Sequence, residues 1–219
     1  RPGAKRAEAA NRLAAVLTRE KALSNTYHFT RNTTEDSLRW ILYSGLAQYY
    51  YDQALFRKCI HSAQLAIPPT CALKDTAGWF TLLTMQTEAY VRTGDFDGAR
   101  QSIRTCLEVA EKQGDPERLA AAYNNMGALY HHMRDDSFSI VMYRKGLETL
   151  RQIPAPESLP MRAELLRNLG GAYGEMNRPK EAMQILREAL AISEQLGDTM
   201  GIATAQSSMG LAAMAAGDW

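Results

Sequence analysis

Leu166-Arg167-Asn168-Leu169-Gly170-Gly171-Ala172-Tyr173, followed by Ala182, Leu186 and Ala189, is the clearest copy of a pattern that the chain repeats five times. Aligning the small residue at its centre gives Ala47, Thr87, Gly127, Gly170 and Gly210, so the steps are 40, 40, 43 and 40 residues. A self-similar period of this size is the signature of a solenoid, in which each unit buries its apolar face only against its neighbours. Function is then to be sought on a surface that recurs from unit to unit.

Each unit reads as two amphipathic helices, with apolar residues three and four apart, joined by a tight turn. In the second unit the first helix carries Leu83 and Tyr90, Gly94-Asp95 makes the turn, and the second helix carries Phe96, Ala99, Ile103 and Cys106. Gly94 suits a left-handed C-terminal position and Asp95 caps the next helix. Between units, Asp115 is expected as an N-cap, Pro116 as the first helical residue and Glu117 as its acidic neighbour.

The pattern resembles the tetratricopeptide repeat family, whose units carry a large residue, a Leu-Gly pair, a Tyr, then Ala, a large apolar residue and Ala. The fourth unit fills those positions with Leu166, Leu169-Gly170, Tyr173, Ala182, Leu186 and Ala189. The third fills them with Tyr123, Met126-Gly127, Tyr130, Ser139, Tyr143 and Gly146, and the first with Tyr43, Leu46-Ala47, Tyr50, Cys59, Ala63 and Ala66. The small residues let the two helices cross at the usual spacing. The resemblance implies an all-α, right-handed superhelix of antiparallel helix pairs. It covers about four and a half units, near residues 40–75, 76–115, 116–158, 159–198 and a truncated 199–219. Residues 1–35 are expected as an N-terminal capping helix, over 5–22, and a polar connection. The step of 40 rather than the usual 34 is similar to the longer repeats of kinesin light chains, asparagine-rich polarity scaffolds and bacterial regulators and sensors. Two departures stand out: Arg134-Asp135-Asp136 replaces the Gly-Asp-aromatic turn, implying an irregular turn, and Gln152 to Pro160 reads as a loop longer by three.

Composition narrows the classes. The chain has 219 residues, 46% of them hydrophobic, enough for a continuous core, and 25 Lys plus Arg against 24 Asp plus Glu. A formal charge of +1 lacks the basic footprint that phosphate neutralisation requires, so direct nucleic-acid binding is not expected. No apolar run is long enough to span a bilayer. The absence of a starting Met and the stop at Gly217-Asp218-Trp219, where a further turn would begin, read as a piece of a longer polypeptide. Cys59, Cys71 and Cys106 offer neither a disulfide framework nor a zinc motif, and Cys59 and Cys106 fall on small core positions. They lean towards a cytoplasmic setting and leave a periplasmic sensor domain open.

No catalytic constellation is legible, so the chain is expected to be no enzyme and to carry no cofactor or metal. The glycines of Gly170 to Gly174 follow no strand and open no helix, which argues for helix crossing over phosphate binding. His131 and His132 point about 100° apart on a helix, so they do not converge on one metal; His131 with Asp135 has the spacing of a hydrogen-bonded pair.

The family resemblance implies that the first helices line a concave groove that binds a protein or peptide segment. Glu88 and Arg92 in the second unit, Asn124, Asn125 and His131 in the third, and Arg167, Asn168 and Glu175 in the fourth are the expected lining, with Gln48, Tyr51, Glu164, Ser207 and Ser208 beside them. Asn125 and Asn168 share one repeat position, and in the longer-repeat relatives such asparagines hold a peptide backbone, an amide both donating and accepting. The expected role is the recognition or sensory part of a larger signalling or transcription regulator. The alternative is an assembly scaffold or cargo adaptor that self-associates through its repeat ends.

Overall fold

The computed structural model describes residues 36–72 and 76–217, so the expected capping helix lies outside the described residues. Among those described there are nine α-helices and one 3-10 turn, and no strand. The helices are α1 (Asp36–Asp52), α2 (Phe56–Ala72), α3 (Thr76–Thr93), α4 (Phe96–Gln113), α5 (Pro116–His132), α6 (Asp136–Thr149), α7 (Ala155–Glu175), α8 (Pro179–Leu196) and α9 (Thr199–Ala216). Two compact units divide the chain, one up to Ser102 and one from Ile103 onward.

In the first unit α1 packs on α2 and α2 on α3, and α1 also touches α3. Leu42, Leu46, Tyr50, Cys59, Ala63, Ala66 and Leu82 form its core. In the second unit α5 to α9 pack consecutively, while α5 touches α7 and α7 touches α9 directly. The first helices of successive pairs therefore lie side by side and make a face of their own. Beneath it Tyr143, Leu165, Leu169, Tyr173 and Leu186 are buried together.

The crossing residues explain the spacing of this core. A Cβ placed on Gly170 would come within 2.6 Å of Leu186 Cδ2, and one on Gly127 within 2.6 Å of the Tyr143 ring. Contacts that short leave no room for a methyl group while Leu186 and Tyr143 keep their places, so glycine suits these two crossings. Ala47 is wholly buried, and Thr87 returns its hydroxyl to the Leu83 carbonyl at 2.8 Å. Gly210 differs: nothing lies within 4 Å of its Cβ position.

Turns repeat with the same period. Ala54, Gly94, Arg134 and Asn177 all have positive φ, at 55°, 77°, 64° and 55°. In each case the following amide donates to the carbonyl of the repeat tyrosine: Leu55 to Tyr50, Asp95 to Tyr90, Asp135 to Tyr130 and Arg178 to Tyr173, at 2.8–3.0 Å. The turn at Arg134 is therefore regular, which corrects the expected irregularity. Asp135 accepts from the Phe138 amide at 3.1 Å, as Asp95 accepts from the Gly98 amide at 2.9 Å, and this capping holds Arg134 left-handed.

The long loop is also corrected. Leu150–Gln152 form a 3-10 turn, and α7 already begins at Ala155 and runs for 21 residues with Pro160 inside it. Pro156 falls in the first turn, where no helical amide bond is lost. At the other junction Asp115 caps α5 by accepting from Arg118 N, with Pro116 the first helical residue, as the sequence implied.

Candidate functional site

In the second unit, α5 and α7 are joined by a polar chain. Asn168 donates through Nδ2 to Asn124 Oδ1 at 2.9 Å, and Asn124 donates through Nδ2 to Glu164 Oε1 at 2.7 Å. Asn124 is 5% exposed, whereas Glu164 and Asn168 are half-buried. The alignment pairs Asn125 with Asn168 by repeat position, but the residue in contact with Asn168 is Asn124. Asn125 itself is half-buried one position along the helix. Glu164, Asn168, Gly171 and Glu175 are spaced 4, 3 and 4 residues apart, one stripe along α7.

The other expected residues take separate positions. His131 Nδ1 lies 2.5 Å from Asp136 Oδ1, not against Asp135, because Asp135 is occupied in capping α6. Glu175, at the end of α7, pairs with Arg134 at 2.9 Å, both exposed. Arg167 is turned away from the stripe: its guanidinium lies 3.2 Å from the buried Ser193 Oγ and 3.5 Å from Asp198 Oδ2. Its side chain is only 18% exposed. Among the described residues no ion pair reaches Glu164, so its carboxylate is met by the Asn124 amide and not by a cation.

Glu88 and Arg92, of the second repeat, lie in the compact unit that ends at Ser102. Burial, with the Glu88 carboxylate beside it, pushes the Tyr51 phenol well above its ordinary range. Arg92 stands over the Phe56 ring at 5.6 Å. These two are thus part of an aromatic and ionic cluster of α1, α2 and α3, distinct from the α5–α7 chain. Tyr50 is core, at 3% exposed.

Sequence reasoning missed Arg134 as a partner of Glu175. Its signal was the 40-residue step from Gly94, which marks it as a turn position overhanging the next unit. Gly171 and Gly174 also emerge as distinctive: both are helical, and a Cβ on either would meet nothing within 4 Å. The cysteines behave as packing residues. Cys59 and Cys106 are buried and unbonded to each other, and burial raises their thiols to about 11 and about 12. Among the described residues no three metal-ligating side chains come together, and no helix is long and apolar enough to cross a membrane.

The repeats and their first-helix face define a class. A tetratricopeptide repeat family model matches residues 87–152 and 120–195, and the chain belongs to the tetratricopeptide repeat proteins. The Streptomyces coelicolor regulatory protein AfsR is 24% identical over 151 residues, 69% of this chain. The chain spans only 15% of the length of that curated relative. Among solved structures, BtubC from P. vanneervenii aligns with a TM-score of 0.70 at 23% identity, over 96% of this chain and 85% of its own. A signal transduction ATPase with numerous domains and a tetratricopeptide repeat sensor, from Pyrococcus horikoshii, aligns at 0.69 and 16%, over 95% and 32%. A putative kinesin light chain from Podosopora anserina gives 0.64 and 15%, over 84% and 89%. Tetratricopeptide repeat domains act in general by binding protein partners.

Proposed function

We propose that this chain is a non-catalytic recognition module that binds a peptide or extended protein segment on its first-helix face. We also infer that it serves as the sensory part of a larger regulator. The Asn168–Asn124–Glu164 chain carries the first reading, since it sets amide and carboxylate groups in a fixed row where α5 and α7 meet. Amides that donate and accept suit a peptide backbone, whose groups alternate in the same way. Similarity to AfsR and to the sensor-bearing ATPase supports the regulatory setting.

The test is selection of random twelve-residue peptides displayed on phage, panned on the full chain. The expected result is enriched peptides whose affinity falls severalfold in an Asn168→Ala variant that melts within a few degrees of the parent. Unchanged affinity in that variant would remove the face assignment.

A second reading, a scaffold that self-associates through its repeat end, is favoured by α9. Met200, Leu211 and Met214 are 76%, 65% and 54% exposed on it, and the crossing residue Gly210 has open space above it. A sedimentation profile that grows heavier with concentration and reverts in Leu211→Glu would support this reading over the first.

A further inference from the structure

We infer that the first-helix face of the second unit selects a basic segment, with a Lys or Arg side chain of the ligand set against Glu164 and the ligand backbone passing over Gly171. This deepens the peptide-binding reading and rests on it. The hydrogen-bond chain runs from Asn168 through Asn124 and ends on the Glu164 carboxylate. Neutral amides offset only part of a carboxylate's charge, and half-burial weakens the compensation that water would give. The cation that the sequence places nearest, Arg167, is committed to Ser193 and Asp198. Arg134 is committed to Glu175 further along the stripe, and His131 to Asp136. Glu164 is thus a half-buried carboxylate of this face with no ion-pair partner among the described residues, which suits it to a ligand cation.

Glycine supplies a separate line of argument. Gly171 sits inside α7 between Asn168 and Glu175, with neither a positive φ nor a close neighbour to require it. An interior glycine without a packing reason weakens its helix relative to alanine. What it provides is backbone approach: another chain can lie closer to α7 there than any side chain would permit. Ala128 occupies the equivalent position on α5, so the floor beside the polar row is small on both helices.

The experiment is composition analysis of the phage-displayed twelve-residue peptides selected on the full chain, followed by titration of synthetic versions in which one basic residue is Arg, Gln or Glu. Enrichment in Lys and Arg is expected, with the Arg peptide bound about tenfold more tightly than its Gln version, the scale of one charge-assisted hydrogen bond. Glu164→Gln keeps an acceptor for Asn124 and should make the Arg and Gln peptides bind alike. Gly171→Ala should raise the Tm and yet weaken every selected peptide. Selected peptides that depend on Asn168 but show no basic preference in the parent chain would overturn this inference and leave the peptide reading standing. Discrimination that survives Glu164→Gln would do the same. No enrichment over uncoated beads would overturn both, and the peptide comparison on the parent chain decides the matter even if a variant fails to fold.

Discussion

The alanine at position 54 shows how strictly the turn is imposed. Ala54 adopts φ 55° where Gly94 adopts 77°, although a Cβ in the left-handed region is disfavoured by about 1 kcal/mol or more. The Ala54 amide donating to the Tyr51 carbonyl at 2.9 Å and the Leu55 amide donating to the Tyr50 carbonyl at 2.8 Å hold it there. Ala54→Gly should therefore stabilise the protein by roughly 0.5–1 kcal/mol after the added entropy of the unfolded glycine is subtracted. The urea midpoint reads this, and a midpoint that falls would contradict the turn geometry. A second residue-level consequence concerns the thiols. Burial raises Cys106 to about 12 and, with Asp52 and Glu88 nearby, Cys59 to about 11, from an ordinary 9.0. A folded value above the unfolded one contributes stability that is intact below pH 9 and is lost as pH rises through the folded value. Melting temperature should decline between about pH 9 and 12, and Cys106→Ala should make that decline shallower; a parallel decline would show that the thiol does not titrate with unfolding.

At the scale of the helix, one repeat position has opposite requirements in different copies. Leu186 crosses α7 at Gly170, so Gly170→Leu forces α7 and α8 apart and should cost about 1–3 kcal/mol or more. Gly210 occupies the same position on α9 with open space above it, and there Gly210→Ala should stabilise by roughly 0.5–1 kcal/mol through helix propensity alone. Thermal denaturation of the two variants separates these signs, and a destabilised Gly210→Ala would mean that α9 is packed on that side. The same contrast explains why Gly171 and Gly174 cannot be assigned from the repeat pattern. Pattern identifies a glycine but does not say whether something fills the space beside it.

Across the whole molecule, stability is expected to be a sum of neighbouring terms, since α5 to α9 contact chiefly the next helix and the matching helix of the next pair. Gly170→Leu should then reduce amide exchange protection in α7 and α8 while leaving α1 and α2 close to the parent. A uniform loss of protection, measured by native-state hydrogen exchange, would show that the chain unfolds as one cooperative body. The period was legible without coordinates because a crossing residue, a tyrosine carbonyl and a turn are local features, and each must recur wherever a helix pair folds back on itself. That is why residues 47, 87, 127 and 170 were placed correctly from spacing, and why Asp115 and Pro116 could be assigned to a helix start.

The partners of the polar side chains obey a different rule. Asn168 reaches 44 residues back to Asn124 rather than to its repeat equivalent Asn125, and Arg167 reaches forward to Ser193 and Asp198 instead of joining the stripe. Both choices depend on the rotation of one helix against the next, which a few tens of degrees can change without altering any repeat residue. The sequence by itself determined the helix pairs, their period and their crossing points, because close packing of small against large residues admits one register. Only the tertiary structure decided which long side chains meet and which carboxylate is left without a cation, because those contacts form between helices whose relative rotation no local pattern encodes.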